Sequence, residues 1–139
     1  MLQLVTPTPA PQSGPKSDRY SAPEVQAMQR AVMTLFTKWQ LSEADAAVLL
    51  GGISTKTYRR WREGEYGRVT RDLADRLSNL LGVHKALRLI FADPAAGYRW
   101  MAAANTAFGG MSALDLLRQG GMEDLVRLRR YLDSVRGGW

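Results

Sequence analysis

A run of basic side chains between residues 56 and 71 has the composition of a nucleic-acid contact. It holds six lysines and arginines against two glutamates. The planar guanidinium of arginine can bind two acceptors on one guanine and can also bind phosphate. A run of one sign therefore predicts contact with DNA. The alternative is a solvated charged face, the commoner meaning of such a run.

The first part of this run lies on a short predicted helix with one apolar and one basic edge. Ser54 is a good N-cap, and Tyr58 and Trp61, three residues apart, share the apolar side with Ile53. We expect these aromatic rings to pack in the core rather than to stack on bases. The opposite side and the loop beyond it give the predicted DNA-contacting set: Ser54, Thr55, Lys56, Arg59, Arg60, Arg62 and Arg68.

A second short helix precedes the basic one. Ser42, with Asp45 three residues later, predicts its start, and Gly51-Gly52 predicts its end because glycine adopts left-handed φ at little cost. Two short helices joined by a glycine turn, the second one basic, are typical of a helix-turn-helix. A homodimer is expected if DNA is bound.

The remaining sequence also predicts helices, and no window alternates as a strand would. Helix starts are predicted at the capping box of Ser21 and Glu24 and at Thr70, Asp93-Pro94 and Ser112. Breaks are predicted at Gly82, Gly109-Gly110 and Gly120-Gly121, so that Val83–Phe91 forms a helix of its own and Met122–Arg136 the last one. The fold class is therefore all-α. Residues 1–20 carry four of the six prolines and predict a disordered arm.

Composition excludes several classes of function. The chain has no cysteine and one histidine, His84, so disulfides, cysteine zinc sites and histidine metal sites are not expected. No apolar run approaches the roughly 18–20 residues that span a bilayer, and the N-terminus lacks the pattern of a secretory signal. We expect a cytoplasmic protein without a cofactor. No catalytic constellation is present, so we expect a binding protein rather than an enzyme.

The C-terminal part contains two candidate contacts for a protein partner. One is an apolar set that is either left exposed for the partner or used to complete the core of the monomer: Phe108, Met111, Leu114 and Leu117. The other is Trp139, which follows Gly137-Gly138. Bulky aromatic residues are common anchors in partner pockets, although Trp139 could equally fold back on the last helix.

Two blocks of sequence resemble the Xre/MbcA/ParS antitoxins of bacterial type II toxin–antitoxin pairs. LLGGISTKTYRRW at Leu49–Trp61 resembles their Xre-like helix-turn-helix, and the spacing of Trp, FGG, SALDLL, EDLV and VRGG over Trp100–Gly138 resembles their toxin-binding domain. The resemblance implies a cognate RES-domain toxin that consumes NAD or transfers its ADP-ribosyl group. It also implies that the C-terminal part covers the toxin's NAD pocket and that the pair represses its own promoter. Arg136, Gly137, Gly138 and Trp139 would then lie at the toxin cleft.

These observations predict an Xre-like helix-turn-helix bundle followed by a small helical toxin-binding domain. The predicted boundaries are 1–20 for the arm, 21–92 for the DNA-binding domain and 93–139 for the toxin-binding domain. Expected partners are the RES-domain toxin and promoter DNA, with a homodimer inside a hetero-oligomeric complex. Two alternatives stay open: a stand-alone repressor whose C-terminal half only dimerises it, and an interaction module that has lost DNA binding.

Overall fold

The computed structural model describes residues 20–137 and places seven α-helices and one 3₁₀ helix in that part of the chain. The arm up to residue 19, and Gly138 and Trp139, lie outside the described residues. The helices are α1 (Ala22–Lys38), α2 (Glu43–Leu49), α3 (Thr55–Arg62), α4 (Arg71–Ile90), α5 (Pro94–Ala102), α6 (Ala113–Arg118) and α7 (Met122–Val135). The 3₁₀ helix, Thr106–Phe108, lies between α5 and α6. The all-α prediction is confirmed.

The predicted helix starts are confirmed by the side chains that cap them. Ser21 accepts a hydrogen bond from the Glu24 N–H at 3.2 Å, and the Glu24 carboxylate accepts one from the Ser21 N–H at 2.8 Å. The hydrogen bond from the Ser21 backbone is the main reason why the pKa of Glu24 lies below its usual value, and the hydrogen bond with the Ser21 side chain adds to it. Asp93 caps α5 through the Ala95 N–H. The remaining predicted caps each accept from the N–H three residues later: Ser42, Ser54, Thr70 and Ser112.

The predicted break at Gly82 is wrong, because α4 continues through it to Ile90. The reason lies in α7, whose Arg129 side chain crosses α4 at this point. A Cβ on Gly82 would lie 2.5 Å from Cζ of Arg129, and the guanidinium donates a hydrogen bond to Asn79 at 3.1 Å. Gly82 therefore leaves room for the Arg129 side chain and does not end the helix.

One hydrophobic core runs through the described residues, with α4 at its centre. Helix α4 packs against α1, α5 and α7. Fully buried side chains come from both predicted domains: Val32, Phe36, Leu77, Leu80, Val83, Met101, Leu116, Leu128 and Leu132. The two halves of the chain thus share a core and a long helix. Within residues 20–137, no helix has the length and apolar character needed to cross a bilayer.

Candidate functional site

The turn between α2 and α3 is built by two glycines and one buried arginine. Gly51 and Gly52 have φ of +87° and +89°, in the left-handed region that favours glycine. A Cβ on Gly51 would lie 2.8 Å from Nε of Arg76. The Arg76 side chain reaches the turn from α4, and its Nη1 donates a hydrogen bond to the Leu49 carbonyl at 3.5 Å. Arg76 is only 9% exposed. Sequence reasoning missed this contact, because nothing local links α4 to the turn.

Helix α3 lies against the core through the two aromatic residues that the sequence assigned to its apolar edge. Tyr58 and Trp61 are both buried, which confirms that prediction. Burial raises the pKa of the Tyr58 hydroxyl, with the nearby charges of Arg62 and Glu43 acting in opposite directions. The rings fix which side of α3 faces outward.

The opposite side of α3 is the basic face. Its exposed members are Ser54, Lys56, Arg59, Arg60 and Arg62, with Thr55 half-buried and Arg68 exposed in the following loop. Six of the seven predicted DNA-contacting residues are therefore exposed, and Arg68 lies beside the start of α1. The Ser54 hydroxyl is already used, since it accepts from the Thr57 N–H at 3.0 Å.

Glu43, at the first position of α2, is an acidic residue on this face that the sequence analysis missed. Its carboxylate accepts a hydrogen bond from Nε of Arg59 at 3.2 Å and pairs with the guanidinium of Arg62, which also lies over the Tyr58 ring. Within residues 20–137, by contrast, no ion pair involves Lys56, Arg60 or Arg68. The basic face therefore has one partly neutralised half and one open half.

In the C-terminal part, the apolar set that the sequence left open between a partner surface and the monomer core is mostly core. Phe108, Leu114 and Leu117 are 5%, 4% and 4% exposed, and only Met111 is half-buried. Of the two alternatives left open for these residues, the structure favours completion of the monomer core. Short helices α5, α6 and α7 cover one another more completely than their length suggested, because α6 is enclosed between α5, α7 and α2.

The end of α7 presents the described part of the predicted tail. Arg136 pairs with Asp133 through Nη2 and Oδ1 at 3.3 Å, and Gly137 has φ of +101°. Gly138 and Trp139, the other two predicted contact residues of the tail, lie outside the described residues. Three aromatic rings pack together around Tyr131, one turn before the end of α7. Tyr131 stacks on Trp100 with 6.3 Å between centroids and meets Phe108 edge-on at 5.2 Å.

Two family models match consecutive parts of the chain. One, described as the antitoxin Xre-like helix-turn-helix domain, matches residues 26–82, and the other, the antitoxin Xre/MbcA/ParS C-terminal toxin-binding domain, matches residues 86–138. A curated relative, "Uncharacterized protein y4oB" of Sinorhizobium fredii, is 36% identical over 126 residues, 91% of this chain and 95% of the relative. The chain belongs to the Xre/MbcA/ParS antitoxin family. No solved structure matches this antitoxin.

The DNA-binding and toxin-binding parts of the antitoxin are joined by a polar contact as well as by the core. Arg118 of α6 pairs with Asp45 of α2 at 2.9 Å and with Asp115 at 2.8 Å. Beside it, a Cβ on Gly120 would lie 3.1 Å from the Val48 side chain. Helix α2, the first of the helix-turn-helix, thus packs directly on the toxin-binding part.

Potential metal ligands are not clustered in the described part of the antitoxin. Within residues 20–137, no three histidine or acidic side chains gather closely enough to hold a metal ion. Burial is the main cause that lowers the pKa of His84, and the positive charge of Arg88 lowers it further. Both effects favour the neutral ring. The arrangement is suited to binding through the basic face and through the end of α7.

Proposed function

We propose that this antitoxin neutralises a RES-domain toxin and represses its own operon. The toxin would consume NAD or transfer its ADP-ribosyl group, and the C-terminal part of the antitoxin would cover the toxin's NAD pocket. The observation that carries the proposal is the order of the two family matches, a helix-turn-helix domain followed by a toxin-binding domain in one chain. In this function the protein acts by binding and not as an enzyme.

On the DNA side, we propose that α3 enters the major groove with its basic face towards the bases. The exposure of Lys56, Arg60 and Arg68 and the buried position of Tyr58 and Trp61 support this orientation. Arg68, beyond the helix end, would reach the phosphate backbone. A homodimer would place two such helices in half-sites about 34 Å apart or at multiples of that spacing.

On the toxin side, we propose that the tail, Arg136–Trp139, enters the toxin cleft. The guanidinium of Arg136 is paired with Asp133 and partly exposed, so it is held at the end of α7 without being buried. The tryptophan side chain would supply the apolar anchor. It follows residue 138, where the matched toxin-binding domain ends.

Co-expression with the product of the adjacent gene tests this function. We expect the full chain to restore growth and to purify as a complex with that product, and we expect a chain lacking residues 137–139 to restore growth poorly. Measuring NAD levels in the same cells connects the rescue to a RES-type activity. Unchanged NAD under the toxin alone would contradict the RES assignment.

A shift assay on the upstream promoter tests the second role. We expect the full chain to retard this DNA and an unrelated DNA of equal length to bind much more weakly at the same salt. A chain that binds the promoter but neither rescues growth nor forms the complex would be a stand-alone repressor.

A further inference from the structure

The described residues expose two large apolar side chains, and both lie at the same end of the molecule. Leu89 is 59% and Val135 52% exposed. Leu89 is in the last turn of α4, and Val135 is the last residue of α7. The two helices run side by side in the same direction, because Arg129 meets Asn79 while Val135 lies further along beside Ile90. Their C-terminal ends therefore meet.

A cleft opens between these ends, which we call the terminal cleft. It is lined by Ile90, Phe91, Trp100, Tyr131, Leu132 and Val135, all of them apolar or aromatic. Trp100 and Tyr131 stack with an angle of 12° between their planes, and Phe108 supports Tyr131 from its edge. One wall is thus held in place by its own packing, so a partner would not need to order it on binding.

The size of the terminal cleft limits what it can hold. Its volume is about 70 Å³. An enclosed cavity of about 150 Å³ holds benzene, so this smaller cleft encloses an aliphatic group more fully than an aromatic ring. A valine, a leucine or the end of a methionine side chain has a suitable size and chemistry.

We propose that the terminal cleft receives one aliphatic side chain of the cognate toxin. This inference rests on the proposed function, since it takes the toxin to be the partner of the C-terminal part. All six lining residues fall within residues 86–138, which match the toxin-binding domain. The tail also begins at the rim, because Arg136 and Gly137 directly follow Val135. A toxin that holds the tail is therefore brought against the cleft.

A pair of charge insertions at neighbouring positions tests the proposal. Val135→Glu places a carboxylate at the rim, whereas Ser134→Glu adds the same charge one residue earlier, at an exposed position that does not line the cleft. The affinity of each variant for the purified product of the adjacent gene is measured by calorimetry. We expect V135E to bind at least about tenfold more weakly, as hot-spot contacts do, and S134E to bind within about twofold of the unaltered chain.

Further measurements keep the test decisive. Val135→Ser removes the apolar rim without adding charge and is expected to weaken binding in the same direction, so a folding defect peculiar to V135E would not decide the result. Equal affinities of all variants would overturn the role of the cleft and leave toxin binding intact. An unaltered chain that does not bind the toxin would overturn both proposals. If the variants keep their affinity for the toxin and change only the oligomeric mass of the free protein in solution, the cleft is a contact between two copies of this chain.

Discussion

At the scale of single residues, the basic face of α3 is set by which arginines already have a partner. Arg59 and Arg62 share the carboxylate of Glu43, and their side chains are 57% and 50% exposed. Ion pairs this exposed contribute about 1 kcal/mol or less. A phosphate of the DNA can therefore displace the Glu43 carboxylate from the two arginines. The negative charge of Glu43 nevertheless stays on the face that DNA would approach.

Removal of two arginines from the basic face is expected to weaken promoter binding. The double variant Arg59→Ala with Arg60→Ala should bind at least about tenfold more weakly, and its salt slope should fall by about 1 for each phosphate that the variant no longer binds. A shift assay at several salt concentrations measures both quantities. Arg99→Ala with Arg130→Ala removes the same charge from exposed positions of the C-terminal part and serves as the control. Unchanged promoter affinity in the Arg59/Arg60 variant would contradict the assignment of α3 to the groove. The same variant should still neutralise the toxin.

Neutralisation of Glu43 is expected to have the opposite effect on DNA affinity. Glu43→Gln frees Arg59 and Arg62 and removes a negative charge close to the phosphates, which is worth about 1 kcal/mol at contact distance in water. We expect about two- to fivefold tighter binding to any DNA of equal length. Glu65→Gln, in the exposed loop after α3, makes the same change in net charge. Equal gains in DNA affinity in the two variants would show that only the net charge matters and that the contacts of Glu43 with Arg59 and Arg62 do not.

At the scale of elements, local rules predicted the helix starts and missed what depends on a neighbour. A serine or threonine followed by a helical pattern identified most of the predicted caps, because the cap bond joins residues only three apart. The role of Gly82 depends on Arg129, which is distant in sequence and crosses α4 only in the folded chain. For the same reason, Glu43 opposite Arg59 and Arg76 behind Gly51 could not be predicted.

The two glycines of the turn between α2 and α3 allow a matched test of the Arg76 contact. Gly51→Ala and Gly52→Ala place alanine at nearly the same positive φ, which costs about 1 kcal/mol in each case. Only the Cβ at position 51 meets Arg76, whereas the one at position 52 meets nothing within 4 Å. We expect G51A to lower the free energy of unfolding in urea by more than G52A. Equal losses would mean that Arg76 moves aside at no cost and does not hold the turn.

At the scale of the whole molecule, the sequence predicted the order of the two parts but not how closely they are joined. The apolar residues of the second part, such as Phe108 and Leu117, read equally well as a partner surface or as core, since burial depends on how α5, α6 and α7 meet. In the structure they extend the core that surrounds α4. The contact of Arg118 with Asp45 adds a polar link between α6 and α2.

This shared core predicts that the helix-turn-helix part does not fold by itself. A fragment of residues 1–92 keeps α4 but lacks α7, whose buried Leu128 and Leu132 belong to the same core as Leu80 and Val83. Exposing that face lowers the free energy of unfolding by about 2 kcal/mol or more for each large apolar side chain. The total free energy of unfolding of a typical domain is only about 5–15 kcal/mol. We therefore expect the fragment to lack a cooperative urea transition by circular dichroism.

The full chain should unfold in one step, so that the transitions followed by circular dichroism and by tryptophan fluorescence coincide. A fragment that unfolds cooperatively and still binds the promoter would mean that the two parts are independent domains and that α7 only covers a finished fold.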